Sequence, residues 1–515
     1  MAESGFWNFA QANPEAFALA DPQGREWTRG ELLAEANKIA HGLRELGLER
    51  GDCVAVVLEN CAEMFQMYLA ITQIGMYMTP INNHLTGPEI AFIVQDSEAK
   101  VFIGSARFGD ACRAAREEIN FPSDKAFSLG QLDGFSPFDA LTAGQSAELP
   151  DNRSAGQVMN YTSGTTGKPK GVRRPLIDIS PDIIATLMSS FLGMFGIKPE
   201  DDNVHICGSP LYHTAVLMFS SNALHIGHAV ILQDKWIPEE MLMLIEKYKV
   251  THSHMVPTQF HRLLKLDARV RSKYDMSSLR AMIHAAAPCP IETKWKMLDW
   301  WGDAIYEYYA ATEGGGTLVT PAEWRKYPGT VGRAWTGSDI KIYDDDGGEL
   351  GPNTVGTVYM KLGNADFKYK GAEKKTRDNR IGNYFTVGDI GELNDEGYLF
   401  LRDRKFDMII SGGANIYPAE IEAELIQHPK VADVAVFGIP NDDWGEEIKA
   451  VIEVVDGVTG GDDLSAEIFS WCEGRLAKMK TPRSIDYADE LPRDPNGKLY
   501  KRKLRDPYWE GRSQI

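Results

Sequence analysis

The segment Tyr161-Thr162-Ser163-Gly164-Thr165-Thr166-Gly167-Lys168-Pro169-Lys170-Gly171-Val172 alternates hydroxyl, glycine and lysine, and no other stretch of the chain concentrates as much usable chemistry. It follows a short apolar run, Val158-Met159-Asn160-Tyr161, that reads as the end of a strand. Glycines let the backbone turn tightly and come close to a ligand. Exposed N–H groups in such a turn form an anion-binding concavity. Thr162, Ser163, Thr165 and Thr166 add hydroxyls, and Lys168 and Lys170 add positive charge. The combination suits a polyphosphate. It is not a Walker A loop: only two residues separate Gly164 from Gly167-Lys168, and Pro169 stands where Ser or Thr should follow the lysine.

The segment resembles, almost letter for letter, the phosphate-binding loop of the adenylate-forming superfamily of acyl-CoA synthetases, peptide-synthetase adenylation domains and firefly-type luciferases. The resemblance implies that Thr162, Ser163, Gly164, Thr165, Thr166, Gly167 and Lys168 hold the phosphates of ATP. Tyr309, Thr312 and Glu313 match the family's Tyr-x-x-Thr-Glu pattern. By resemblance Tyr309 stacks on adenine, Thr312 bonds the α-phosphate and Glu313 helps hold Mg2+; a carboxylate suits that hard cation. His284-Ala285-Ala286-Ala287-Pro288 is similar to the family's Gly-Gly-Ala-Ala-Pro turn, which gives backbone contacts to adenine around Ala286. Here His284 and Ala285 replace the glycines, so the backbone is less free.

Tyr384–Asp389 resembles Tyr-x-Thr-Gly-Asp with one residue more between Thr386 and Gly388; Asp389 is expected to accept both ribose hydroxyls. Arg404 is expected to bond ribose or phosphate. Ser411–Pro418 resembles Ser-Gly-Gly-x-Asn-Ile-x-Pro, with Gly412 and Gly413 admitting a thin chain such as pantetheine; Pro418 also starts a helix. Trp444 matches a position that contacts CoA in some acyl-CoA synthetases. Leu491–Lys498 resembles the catalytic-lysine loop, with Asn496-Gly497 making the turn. Lys498 would place fixed positive charge where the transition state gathers negative charge. His213, in Pro210–Ala215, resembles a histidine that gates the acyl pocket. One departure stands at Phe406: the family commonly carries a charged hinge residue two places after the arginine, so Lys405 or Asp407 could serve instead.

The elements that must position these residues read as α/β. Trp27–Leu48 and Asn60–Ile74 have helical spacing, Cys53–Leu58 and Val101–Ile103 are apolar strands, and the alternation suggests a parallel sheet with covering helices. Short apolar strands resume at Val204–Cys207, Ala229–Leu232, His252–Val256 and Arg280–Ala285. From Gly329 the pattern turns β-rich, ending in a hairpin around Asn394–Gly397. After the charged break at Arg402–Lys405 comes an α+β pattern: a helix at Pro418–His428, strands at Val431–Ile439 and Ala450–Val455, and a helix at Leu464–Leu476. The expected organisation is a large N-terminal domain, residues 1–403, of α/β subdomains plus a β-rich subdomain, and a small mobile α+β C-terminal domain, residues 404–515. Lys498–Arg505 reads as a charged tail.

At 515 residues the chain exceeds a single typical core. A net charge of −19 argues against a nucleic-acid binder and against docking on anionic membranes by charge alone. No secretory signal is visible, and the longest apolar stretches, Ile183–Ile197 and Leu211–Leu232, do not read as membrane spans. Six scattered cysteines without a CxxC read as free thiols in a reducing cytoplasm.

Together these features predict an AMP-forming acid:CoA ligase that uses ATP, Mg2+ and coenzyme A, with Lys498, Thr312, Glu313 and His213 at the reacting centre. The acid pocket is expected among His213, Val216–Leu224, Ala286-Ala287 and Gly314-Gly315-Gly316, where three glycines remove side-chain volume. A medium or long fatty acid, or a bulky alicyclic acid, is favoured; an aryl acid such as a benzoate or coumarate is the nearer competitor, and a stand-alone enzyme loading a carrier protein is a further alternative. No nucleic-acid partner and no transmembrane segment are expected, the location is cytoplasmic, and a homodimer is left open.

Overall fold

The computed structural model describes residues 5–162, 169–199, 202–311, 314–363, 368–369, 379–404, 407–412, 414–493 and 499–510. The site assignments on Ser163–Lys168, Thr312, Glu313, Gly413 and Lys498, and the hinge question at Lys405 and Phe406, fall outside these residues. Contacts divide the chain into two compact units. The first is Met1–Met255, Leu266–Ile283 and Asp366–Asp378; the second is Val256–Lys265, His284–Ala365 and Asn379–Ile515.

Beside a small sheet in which Lys170–Arg173 pairs with Asn160–Thr162 and Lys368–Tyr369, two large sheets build the first unit among the described residues. One runs Ser136–Pro137, Ala126–Leu129, Ala99–Ser105, Cys53–Val56, Tyr77–Pro80, Gln157–Val158, with every pairing parallel. Cys53–Val56 is buried throughout, as expected for a parallel strand covered on both faces. The other contains His252–Met255, Val204–Cys207, Ala229–Leu232 and Phe17–Ala20 as parallel neighbours, with Glu26–Thr28 antiparallel at the edge. Phe17–Ala20 therefore closes onto a strand more than two hundred residues downstream.

Helix starts follow from local sequence. Thr28 and Glu31 form a reciprocal capping box for Arg29–Glu45. Thr86 and Glu89 repeat the arrangement for Gly87–Asp96, with Pro88 in the first turn. Each pair satisfies backbone N–H groups that the helix cannot. Of the two long apolar stretches, Ile183–Ile197 contributes most of the helix Pro181–Ser189 and a following single-turn helix, and Leu211–Leu232 divides into the helix Thr214–His225 and the strand Ala229–Leu232. No helix among the described residues is long and apolar enough to cross a membrane. All six cysteines are free thiols.

The second unit contains the β-rich region and the C-terminal α+β region. Ile305–Ala310 pairs antiparallel with Gly316–Val319, and Ser338–Tyr343, Gly356–Leu362, Asp389–Leu393 and Leu399–Arg404 form successive antiparallel pairs. The hairpin between the last two turns on Asn394, whose side chain accepts from the N–H groups of Glu396 and Tyr398. Farther along, Val431–Asn441 and Gly445–Val454 form a long antiparallel pair, with Ser484–Ala488 parallel to the second strand and Ile409–Ser411 beside it. The helices Pro418–Leu425 and Asp462–Cys472 bury Ile421, Leu425, Leu464 and Ile468 against Ile409, Val434 and Ile452. The sequence reads Lys498–Arg505 as a tail, but Lys501–Arg505 is helical and only part of it faces solvent.

Candidate active site

The strands on either side of the glycine-rich segment pair with each other. Asn160–Thr162 pairs antiparallel with Lys170–Arg173, placing Thr162 opposite Lys170 and Tyr161 opposite Gly171. The Tyr161 hydroxyl donates to Asp96 at 2.6 Å, anchoring one arm. Gly171 is required opposite it, because a Cβ there would stand 2.9 Å from the Tyr161 ring. The residues at the base of the loop are thus fixed from the first unit, which also holds His213. His213 is the N-cap residue of Thr214–His225, with its ring 4.5 Å from that of Tyr212.

In the second unit three of the sequence-assigned residues meet. Asp389 and Arg404 are cross-strand partners. The Tyr309 hydroxyl donates to Asp389 Oδ2 at 2.5 Å, and Arg404 Nε stands 3.4 Å from Oδ1. Asp389 is buried while Arg404 is about half exposed. A carboxylate can accept about four hydrogen bonds. Tyr309 uses one site, so capacity is left for a vicinal diol, with an aromatic face and a cation beside it. This set fits a nucleoside with phosphate attached.

Tyr309 lies near the end of Ile305–Ala310, opposite Thr317 on the paired strand Gly316–Val319. Gly314, Gly315 and Gly316 all take positive φ. A Cβ on Gly316 would lie 2.2 Å from the Tyr309 carbonyl and 2.5 Å from the Trp335 ring. Backbone geometry alone demands glycine there, so the glycine run does not by itself measure the size of a substrate.

The turn at Ala286 shows how the family's missing glycines are replaced. Ala286 adopts φ +72°, a left-handed conformation that costs an ordinary residue about 1–2 kcal/mol. His284, fully buried, packs edge-on against Phe260 at 5.1 Å and points Nε2 toward Glu307 at 3.5 Å. Glu307 is ion-paired with the buried Lys294, which also lies 4.8 Å over the Trp324 ring. Burial pushes the Glu307 carboxyl up and Lys294 draws it part-way back. Glu307 is on the same strand as Tyr309, so the histidine in place of glycine is tied to the strand that carries the tyrosine.

Gly412 and Trp444 form a further pairing. Gly412 donates its N–H to the Trp444 carbonyl at 2.8 Å, takes φ +59°, and would bring a Cβ within 2.5 Å of the indole. Asn441 accepts from the N–H groups of Asp443 and Trp444 and sets the turn, leaving the Trp444 side chain exposed. Sequence motifs alone do not reveal Asp96, the Lys294–Glu307 pair, or the ion pairs flanking residues 494–498. These partners are far apart in sequence and become visible only once the strands are paired.

The chain belongs to the AMP-binding enzyme family, whose model matches residues 6–365, with the AMP-binding enzyme C-terminal domain matching residues 420–498. It is 31% identical over 97% of both chains to the long-chain-fatty-acid–CoA ligase FadD13 of Mycobacterium tuberculosis. It is 31% identical to feruloyl-CoA synthase of Amycolatopsis sp, covering 96% of each chain. The crystal structure of ATP-bound MatB from Rhodopseudomonas palustris superimposes with a TM-score of 0.81 at 29% identity, covering 98% of this chain and 99% of that one. At about 30% identity the relatives include ligases named for fatty acids, aryl acids and an acyl-carrier protein. The protein is therefore an acid:CoA or adenylating ligase, and ligases of this family use ATP, Mg2+ and CoA.

Proposed function

We propose that the chain is an AMP-forming acid:CoA ligase acting on an apolar carboxylic acid in the cytoplasm. The observation that carries the nucleotide half is the Asp389 carboxylate between Tyr309 and Arg404. Asp389 accepts the ribose hydroxyls, Tyr309 both stacks on adenine and fixes Asp389, and the backbone at Ala286 borders the base. The loop Thr162–Lys168 and Thr312 bind phosphate, and Glu313 would hold Mg2+, which supplies charge neutralisation when bound. The acid's carboxylate attacks the α-phosphorus, pyrophosphate leaves, and an acyl-adenylate remains. Lys498 stabilises the charge that gathers on the carboxylate and phosphate oxygens. The C-terminal domain, residues 404–515, then turns relative to residues 1–403, a hinge-type switch. Gly412, Gly413 and the exposed Trp444 admit CoA, whose thiolate attacks the acyl carbon and releases AMP.

For the acid we favour a medium or long fatty acid or a bulky alicyclic acid, with an aryl acid as competitor. Thr214–His225, capped by His213, buries Val216, Leu217, Phe219, Ala223 and Leu224. Phe219 lies in an aromatic cluster with Phe191 and Phe195 at 5.6 Å. Apolar surroundings of this kind support an uncharged acid body. A carrier-protein acceptor is the second reading, favoured by the 29% identity to the fatty acid–[acyl-carrier-protein] ligase ScoC of Streptomyces coeruleorubidus. AMP and acyl-CoA formation across acetate, hexanoate, octanoate, palmitate, benzoate and coumarate tests the proposal. CoA-dependent turnover peaking among the fatty acids supports it. Adenylation without CoA consumption transfers the assignment to carrier loading.

A further inference from the structure

On either side of the segment Asp494–Lys498, Arg493 and Lys501 make ion pairs within the second unit. On its N-terminal side, Arg493 makes a two-point contact with Asp433, 2.8 Å for the NH2–Oδ1 arm, with both side chains largely buried. Arg493 pairs with Leu499 in an antiparallel bridge, and Tyr500 donates to the Pro492 carbonyl at 2.8 Å. The two flanks thus close on each other over the strand Val431–Asn441, which carries Asp433.

On the C-terminal side stands Lys501. Its ammonium is 2.8 Å from Glu422 Oε1, and its side chain is only 12% exposed, whereas its neighbours Arg502 and Lys503 face solvent. Glu422, on the helix Pro418–Leu425, also accepts the Val436 N–H at 2.7 Å, so it is held from the sheet side. Asp403 and Asp407, flanking Arg404, face the same ammonium. Asp403 in turn accepts the Ala419 N–H at 2.9 Å in the first turn of that helix and the Arg404 N–H at 2.7 Å. Burial opposes the charged ammonium, yet these carboxylates outweigh it and hold Lys501 above the ordinary lysine range. Burial likewise raises Asp403, and Lys501 pulls it part-way back. Without Lys501, Glu422, Asp403 and Asp407 would lose the ammonium that all three face.

We propose that Lys501 is a positioning residue for adenylation: it fixes the segment that follows Lys498 to the 403–407 junction and to helix Pro418–Leu425. The proposal rests on the assignment of Lys498 above. Its physical basis is that a reacting side chain is positioned accurately only if the chain on both sides of it is fixed. A misplacement of about 1 Å is enough to cost roughly 100-fold in rate.

The test compares full-length Lys501→Met, Lys501→Arg and Lys503→Met with wild type in two assays. One is acid-dependent ATP–pyrophosphate exchange; the other is thioester formation from supplied acyl-adenylate and CoA. Lys501→Met is expected to lower the exchange kcat by about 30-fold or more, with the KM for ATP within about twofold because Asp389, Tyr309 and Arg404 are untouched. Thioester formation should stay within about threefold, Lys501→Arg should restore most of the exchange rate, and the exposed Lys503→Met should match wild type. Equal loss in both assays makes the residue merely structural and overturns the proposal, as does an unchanged exchange rate. If Lys501→Met does not fold, Glu422→Gln weakens the same contact and should lower exchange selectively by about 3- to 10-fold. Exchange that survives Lys498→Ala would instead refute the assignment of Lys498 and take this proposal down with it.

Discussion

On the proposed reading nucleotide recognition turns on Asp389, whose carboxylate contacts Tyr309 and Arg404. Asp389→Asn keeps the shape and removes the charge. Hydrogen bonds to a charged group contribute about 1.5–3 kcal/mol, so the KM for ATP in pyrophosphate exchange should rise about 10- to 100-fold. Tyr309→Phe leaves the aromatic face and removes only the donor to Asp389, so a rise of about 3- to 10-fold is expected. If Tyr309→Phe is the worse of the two, the Tyr309 hydroxyl does more than orient Asp389 and the ribose role of the carboxylate is refuted. Gly412 makes the complementary case for the thioester half. Its left-handed φ and the indole at 2.5 Å both exclude a side chain, so Gly412→Ala must displace Trp444. Thioester formation from supplied acyl-adenylate should fall while pyrophosphate exchange persists; parallel loss would argue against a CoA role for this pair. At this scale the motifs single out Tyr309, Asp389 and Arg404, and the structure brings their side chains together. They did not reveal that Tyr309 holds Asp389, since spacing within a motif is blind to cross-strand partners.

The strand Ile305–Ala310 carries Tyr309, and the helix Ile291–Trp301 backs it through a buried ion pair. Lys294 is 0% exposed, and among the described residues its ammonium pairs with Glu307 and lies over the Trp324 ring. Breaking one half of such a pair strands the other charge, which costs about 3–5 kcal/mol, whereas replacing both by apolar residues is often neutral or better. Lys294→Met should therefore lower the urea midpoint sharply, and Lys294→Met with Glu307→Leu should recover most of it. A double variant no better than the single would mean that His284, 3.5 Å from Glu307, needs the carboxylate more than the lysine does. Elements of this kind were legible where periodicity or capping defines them. The apolar run at Cys53–Leu58 contains the strand Cys53–Val56, and the helical spacing of Trp27–Leu48 contains the helix Arg29–Glu45. The segment Lys498–Arg505 was not legible in the same way. Its basic composition reads as solvated tail, and nothing local indicates that Lys501 turns inward to carboxylates about eighty to a hundred residues upstream.

Over the whole molecule, acid response is decided by buried histidines rather than by net charge. The chain carries −19 at pH 7, so mild acidification relieves self-repulsion and by itself would stabilise the folded state. The first unit opposes this. His205 and His252 are register partners on adjacent parallel strands with rings 4.9 Å apart, and His228 packs edge-on at 5.1 Å from His252. Burial holds His205 down to about 3 and His228 to about 4, the latter with Asp202 favouring charge and Arg280 and Arg29 opposing it. Burial also lowers His254 to about 4 and His225 to about 3. Each folded-state value lies below the unfolded value of about 6.5, so the unfolded chain binds more protons at mildly acidic pH. Stability from these groups is present above pH 6.5 and is lost as pH falls toward the folded values. At pH 5 each neutral histidine costs up to about 2 kcal/mol relative to pH 6.5, and several act together. The melting temperature should therefore drop steeply between pH 7.5 and 5, before ordinary carboxylates titrate. His225 isolates one contribution, because its Nδ1 accepts the Phe6 N–H at 3.2 Å and protonation would break that bond. His225→Asn keeps an acceptor and cannot be protonated, so the pH slope should shallow by about one proton's worth. A melting temperature that stays flat or rises on acidification would show that relief of the −19 charge outweighs the histidines.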